Sequence, residues 1–282
     1  MAVKSRQSPA SDVVRPFLKW AGNKFRIIDR VKKKLPEGKR LVEPFTGSGA
    51  VFLNTEYDEY LLGDSNRDLI ELYTILRDEG DAFIEEARHY FSGKYNNEES
   101  YYELREEFNA TRKHEKRATL FIYLNRHGYN GLCRYNAKGR FNVPFGRYKR
   151  PYFPEKEMRA FKLKAQRAEF KHLSFEQTMM ETRKGDVVYC DPPYVPLSAS
   201  ANFTSYSAGG FSMEQQQLLA DLAKATAARS IPVLISNHCT KLTRHIYKEA
   251  GADCGRAFSV QRYISCNGNK RAKASELLAL FS

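Results

Sequence analysis

Five short strand-like runs, separated by stretches of helical periodicity, constrain this chain more than anything else in it. Leu41-Val-Glu-Pro-Phe45, Tyr60-Leu-Leu-Gly-Asp64, Glu169–His172, Val187-Val-Tyr-Cys190 and Val233–Ser236 read as strands, most of them too apolar to have one wet face. Helical segments stand between them: a short one around Val51–Asn54, then Glu155–Gln166, Phe175–Glu181 and Met213–Ala228. Strand and helix alternating at that spacing build a parallel sheet with helices on its faces, so an α/β fold is expected.

One stretch breaks the alternation. Asp68–Arg77 carries Leu69, Ile70, Leu72, Tyr73 and Leu76 at helical spacing, and from Asp81 to about Gly128 the chain reads as three charged amphipathic helices, the last over Arg117–Arg126. Alternating apolar residues then flank the turn Asn136-Ala-Lys-Gly139, a β-hairpin signal. The expected organisation is a flexible leader over 1–14, a catalytic α/β domain from 15–64 and 151–282, and an insertion over 65–150 with a hairpin at about 132–147.

The formal charge of +13 points to a polyanionic partner, and 42% hydrophobic with 13% aromatic residues excludes a disordered polymer. Five cysteines without C-x-x-C spacing support neither a zinc site nor a disulfide framework, and fit free thiols in a reducing cytoplasm. Met1–Asp12 is polar and lacks the apolar run of a signal peptide, and nowhere do about eighteen apolar residues run together.

The chemistry centres on Asp191-Pro-Pro-Tyr194, directly after the run Val187–Cys190. Ligands of open α/β sheets gather at the carboxyl ends of strands. An exocyclic amine on a nucleobase is a poor nucleophile, because its lone pair is delocalised into the ring. Two acceptors at its hydrogens draw the nitrogen toward tetrahedral geometry: Asp191 offers a carboxylate, and the stiff prolines allow the Pro192 carbonyl to be the second. Tyr194 offers a stacking face for a base that has left the duplex. Taken alone, the tetrapeptide also reads as a rigid turn, and it serves adenine N6 and cytosine N4 equally. His238-Cys239 is a weaker feature, since direct transfer to nitrogen needs no thiol nucleophile and no metal.

Glu43-Pro-Phe-Thr-Gly-Ser-Gly49 closes the first strand, and Asp64 closes the next. Gly47 and Gly49 permit close backbone approach to a cofactor, and an acid about 15 to 20 positions on can bind a ribose diol. Phe52 stands where a dinucleotide fingerprint would have its third glycine, which favours a cofactor without phosphates.

Phe17-Leu-Lys-Trp-Ala-Gly22, Phe45–Gly49 and Asp191–Tyr194 occur in the order seen in Dam-type DNA adenine methyltransferases, and the chain resembles that family over most of its length. Tyr123–Asn136, Phe141–Tyr148 and Ile235-Ser-Asn-His238 extend the likeness. The resemblance implies a Rossmann-like S-adenosylmethionine-dependent methyltransferase fold with an inserted target-recognition region. It implies transfer to adenine N6 in double-stranded GATC, S-adenosylhomocysteine as product, and a cytoplasmic, monomeric enzyme with no membrane partner. Trp20, Lys24, Asp64 and Asp191 would contact the cofactor, and Phe45, Gly47 and Gly49 would shape its methionine end. Asp191, Pro192, Pro193 and Tyr194 would serve catalysis. Lys19, Tyr129, Asn130, Leu132, Arg134, Pro144, Arg147 and Tyr148 would meet DNA: Arg134 a guanine edge, Tyr129 and Asn130 the gap beside the flipped base, and Leu132 and Pro144 the thymine methyls. Arg140, Lys149 and Arg150 are further candidates for base or phosphate contact. Asn23 stands where the family more often has glycine, and Cys239 where it often has aspartate. A DNA-binding protein without catalysis is the rival from another class.

Overall fold

The structure is a computed structural model that describes residues 13–194, 211–261 and 273–282. The leader expected over 1–14 lies almost wholly outside the described residues. Along the chain run α1 (Ile28–Lys34), β1 (Arg40–Glu43), α2 (Ala50–Asn54), β2 (Glu59–Asp64) and α3 (Arg67–Asp78). Then come α4 (Asp81–His89), α5 (Glu98–Ala110), α6 (His114–His127), α7 (Glu155–Ala165), β3 (Ala168–His172), α8 (Phe175–Met180) and β4 (Asp186–Cys190). The described chain closes with α9 (Met213–Ala227), β5 (Val233–His238), α10 (Lys241–Glu249), β6 (Phe258–Gln261) and β7 (Lys273–Phe281).

Among the described residues, seven strands form one sheet in the order β3-β2-β1-β4-β5-β7-β6. The five strands read from the sequence run parallel to one another, with Leu41 opposite Tyr60 and Val187, and Tyr189 opposite Leu234. The two at the carboxyl end, β6 and β7, were not foreseen; β7 runs antiparallel to both β5 and β6. Strand residues alternate between two apolar layers. Leu41, Tyr60, Val187, Tyr189 and Leu234 face one with α1, α3 and α7, and Val42, Leu61, Val188, Cys190 and Ile235 face the other with α9 and α10. Burial on both faces is why these runs are apolar throughout rather than alternating. At the opposite end of the strands from the site, Arg40 and Asp186 tie β1 to β4 through two hydrogen bonds of 3.0 and 2.7 Å.

Strand order reverses between β1 and β4, and this opens a crevice at their carboxyl ends. The insertion stands beside it. Helix α3 packs on β2 and β3 and also on α6, so one apolar layer runs from the sheet into the insertion. The last of the three expected amphipathic helices departs from expectation: every residue of α6 from Ala118 to His127 is buried. It forms the axis of the insertion rather than a surface of it.

The expected hairpin exists as a turn without strands. Tyr135 and Phe141 form an isolated bridge around the Asn136–Gly139 turn, and Gly128 and Phe145 form another. Across the turn the Asn136 N–H donates to the Arg140 carbonyl at 2.9 Å and the Asn142 N–H to the Arg134 carbonyl at 3.0 Å, while side chains of α5 hold the outward-facing groups: Asn109 bonds both the N–H and C=O of Phe141 at 2.7 and 3.0 Å, and Tyr101 donates to the Val143 carbonyl at 3.0 Å. The cysteines described here, Cys133, Cys190, Cys239 and Cys254, are free thiols. No helix among the described residues is long and apolar enough to cross a membrane.

Candidate active site

Three strand ends meet in the crevice. The turn after β1 is folded tightly onto β2: Thr46 bonds the Gly63 carbonyl through its N–H at 3.0 Å and its hydroxyl at 2.9 Å. The Gly47 N–H then donates to Asp64 at 3.0 Å, while the Tyr73 hydroxyl donates to the Gly47 carbonyl at 2.6 Å. A β-carbon on Gly47 would sit 3.0 Å from the Trp20 indole nitrogen, at a backbone φ of 49° that side chains disfavour. Asp64 accepts from the N–H groups of Gly47 and Asn66 and keeps lone pairs for further donors. Burial raises its carboxyl above the ordinary range against those two bonds. Phe45 points to the other apolar layer, where it stacks on Phe175 at 5.4 Å and meets Phe211 edge-on.

Asp191 lies one residue beyond β4. Lys24, 4% exposed, reaches it from a 3-10 turn over Lys24–Ile27, with Nζ at 2.6 Å from Oδ1 and 2.7 Å from Oδ2. The Ser236 hydroxyl donates to Oδ1 at 3.1 Å, and is itself within 2.9 Å of the Tyr189 hydroxyl. Burial raises the Asp191 carboxyl above the ordinary aspartate range; the Lys24 ammonium and the Ser236 bond oppose it without reversing it. Tyr194 lies beside this pair, its ring 4.6 Å from Lys24 Nζ and 4.2 Å from the His238 ring. The turn carrying Lys24 is shaped by Gly22, with φ 77°, and not by a left-handed Asn23. Asn23 has an ordinary φ and caps the turn, its side chain accepting from the Phe25 N–H at 2.7 Å.

Two residues of the site were not assigned from the sequence. Ser236 sits within a run already noted for its likeness, but only the fold shows that it touches Asp191. Glu43 is 2% exposed with Oε1 lacking any partner, and burial pushes its carboxyl well above the ordinary range. An acid closing an otherwise apolar strand was the available signal. Asp64 and Asp191 outnumber Lys24 even without Glu43, whose burial favours the neutral carboxyl, so the crevice suits a cationic or neutral ligand over one carrying phosphates. A buried acid with one unpartnered oxygen, a carboxylate with free lone pairs at the end of β2 and a glycine turn packed on an indole fit an adenosyl cofactor bearing positive charge.

Residues 20–259 match the D12 class of N6 adenine-specific DNA methyltransferases. The chain belongs to that family. It is 53% identical over 267 residues to the DNA adenine methylases of Salmonella typhi and Escherichia coli K12, covering 95% of this chain and of each relative. To the DNA adenine methylase of Vibrio cholerae it is 50% identical over 269 residues, covering 95% of this chain and 96% of the relative. Membership resolves the choice between adenine N6 and cytosine N4, and it agrees with the methyltransferase fold expected from the sequence.

The D12-class chain gathers its expected DNA residues on the insertion and the segment that docks on it. Asn125 grips Lys19 like a strand partner, accepting from its N–H at 2.9 Å and donating to its carbonyl at 2.7 Å. The Lys19 ammonium lies 4.1 Å over the Tyr148 ring, whose hydroxyl accepts from the Asn130 N–H at 2.9 Å. Burial and the neighbouring Arg126 hold the Lys19 pKa down at about 8. Tyr129 and Pro144 are exposed, whereas Leu132 is 7% exposed and packs into the core. Arg134 is exposed, its guanidinium held by Asn142 through bonds of 2.8 Å to the side chain and 3.0 Å to the carbonyl. Arg147 meets Glu98 at 3.2 Å and Arg140 meets Glu106, so both carry an acidic partner in this state. Lys149 and Arg150 are exposed.

One chain of contacts links the two regions. Asn66 binds Asp64 through its N–H, caps α3, and approaches the Cys133 sulfur at 3.5 Å. Asp68, in the first turn of α3, accepts from Tyr135 at 2.6 Å and from Arg117. The start of α3 thus touches the strand end on one side and the turn segment on the other.

Proposed function

We propose that this chain transfers a methyl group from S-adenosylmethionine to N6 of adenine in double-stranded GATC, with the adenine rotated out of the helix. The observation that carries the reading is Asp191, a half-buried carboxylate fixed by Lys24 and Ser236 at the switch point of the sheet, with Tyr194 alongside. The residues for the cofactor are Trp20, Lys24, Phe45, Gly47, Gly49, Asp64 and Asp191, with Glu43 added for its unpartnered buried Oε1. When bound, the cofactor supplies an electrophilic methyl on a sulfonium. Asp191 accepts one amine hydrogen and the Pro192 carbonyl the other, which aims the nitrogen lone pair outward. Lys24 keeps Asp191 ionised despite its burial, and Tyr194 stacks on the base to offset the few kcal/mol that unstacking costs. Rate arises from positioning and electrostatics, with no covalent intermediate.

Residues 65–150 form the target-recognition part of the proposal, with Arg134 reading guanine and Lys19, Tyr129, Asn130, Leu132, Pro144, Arg147 and Tyr148 lining the duplex. For Leu132 that role requires the segment to open on binding, since it is buried here. The enzyme acts as a monomer in the cytoplasm. The test is methyl transfer from radiolabelled S-adenosylmethionine to duplexes containing GATC, GTTC or GATG, with nucleoside analysis. N6-methyladenine confined to GATC is expected; label on another site overturns the sequence assignment, and no label overturns the activity.

A further inference from the structure

A closed triangle of buried side chains stands behind the Asp191–Tyr194 loop. Gln216 on α9, Asn237 on β5 and Tyr247 on α10 are at most 1% exposed. The Asn237 amide nitrogen donates to Gln216 Oε1 at 3.0 Å and to the Tyr247 hydroxyl at 2.8 Å. The Tyr247 hydroxyl donates in turn to Gln216 Oε1 at 3.2 Å. Asn237 is itself oriented, because its Oδ1 accepts from the His238 N–H at 2.8 Å. Both amide hydrogens of Asn237 are therefore used, and Gln216 Oε1 receives two donors. That leaves Gln216 one orientation, with its nitrogen turned toward the loop, where it donates to the Pro193 carbonyl at 3.1 Å.

We propose that Gln216 is a positioning residue for methyl transfer: it clamps the Pro193 carbonyl and so fixes Pro192 ahead of it and Tyr194 behind it. The inference rests on the reading above, in which the Pro192 carbonyl and Asp191 are the two acceptors of the target amine. Proline fixes φ at both loop positions but leaves ψ free. The peptide that follows Pro193 is held by Gln216, and Tyr194 is held from the other side by the His238 ring at 4.2 Å. One buried network thus orients both the acceptor loop and the strand carrying His238. A side chain that fixes a reacting group without touching substrate changes the transfer step rather than binding.

Gln216→Glu keeps the volume and the two acceptor bonds but replaces the donor to Pro193 with an acceptor when ionised. A buried carboxyl has a raised pKa, and its protonated form regains a donor. Tyr247 and the Cys190 thiol nearby are both pushed upward by burial, so neither changes state near neutrality. His238 is common to variant and wild type, and the ratio of their rates removes it.

The experiment compares full-length wild type, Gln216→Glu, Gln216→Asn and Asp191→Asn for melting temperature, duplex affinity, cofactor affinity and single-turnover transfer between about pH 6 and pH 8.5. Gln216→Asn is expected to lose ~10- to 100-fold in transfer at every pH, with affinities within about twofold of wild type. Gln216→Glu is expected to show the same loss at high pH and to recover relative to wild type as pH falls. Should Gln216→Glu not fold, Tyr247→Phe removes one bond to Oε1 and is expected to slow transfer a few-fold with binding intact. Wild-type rates in the Gln216 variants alongside an inactive Asp191→Asn overturn the clamp alone. A loss that merely tracks lowered melting temperature and duplex affinity also overturns it. A fully active Asp191→Asn overturns the reading beneath it.

Discussion

Raising the pH from about 7 to about 9 should weaken DNA binding through one side chain. Burial and Arg126 hold the Lys19 pKa at about 8, with the ammonium 4.1 Å over the Tyr148 ring and 3.5 Å from the Arg126 carbonyl. The group is charged below that value and neutral above it in free protein. A bound polyanion stabilises the charged form, so above about pH 8 binding takes up a proton and affinity falls by up to tenfold, or ~1.4 kcal/mol, per pH unit. Below about pH 7 the curve should be flat. Cys133 does not contribute, because burial pushes its thiol to about 12. Fluorescence anisotropy with a labelled GATC duplex reads the effect at fixed ionic strength, since salt alone changes affinity through counterion release. Lys19→Arg, charged throughout, should flatten the profile; Lys19→Met should flatten it and bind more weakly at pH 7. A wild-type profile that stays flat to pH 9, or a Lys19→Arg profile that falls as wild type does, refutes the reasoning.

Arg134→Ala should cost about 1 to 3 kcal/mol of discrimination at one base pair of the site, read as the ratio of kcat/KM on GATC to that on single-pair variants; equal slowing on every sequence would make it a phosphate contact. Asn142→Ala removes one of the two bonds that hold the Arg134 guanidinium and should reduce the same ratio by a smaller factor. Because burial raises Asp191, single-turnover transfer should begin to fall on acidification at a pH above the ordinary aspartate value of about 4, and a rate that holds down to that value contradicts it. Arg40→Ala leaves Asp186 buried without its partner and should lower stability by ~3–5 kcal/mol in urea melts, whereas Arg40→Met with Asp186→Leu should recover most of it. Equal losses in the single and double variants would show that the pair, and not the orphaned charge, carries the effect.

The sequence by itself determined the elements whose information is local. A run such as Val187–Cys190 between helical stretches reads as a strand buried on both faces, and a loop that begins Asp-Pro-Pro-Tyr after it projects from the carboxyl end of that strand. Five parallel strands, the glycine turn and the placing of Asp64 and Asp191 at strand ends were legible for that reason. Chain reversal over long distances was not. Nothing in the periodicity of the last 25 residues says that β7 slots antiparallel between β5 and β6. The sequence signals a hairpin at Asn136–Gly139; the turn forms with two cross-turn backbone bonds, yet its flanks make only an isolated bridge, and their outward-facing groups are held by Asn109 and Tyr101 of the distant α5. Helix α6 looked amphipathic in isolation and is buried from Ala118 onward, because neighbours on every side cover it. The same holds at the site. Asp191 was evident, but its pairing with Lys24, its bond from Ser236 and the Gln216–Asn237–Tyr247 triangle join residues far apart in the chain. Periodicity reports which face of an element is dry; which polar atom meets which is decided only when the faces close, and there the tertiary structure had the final say.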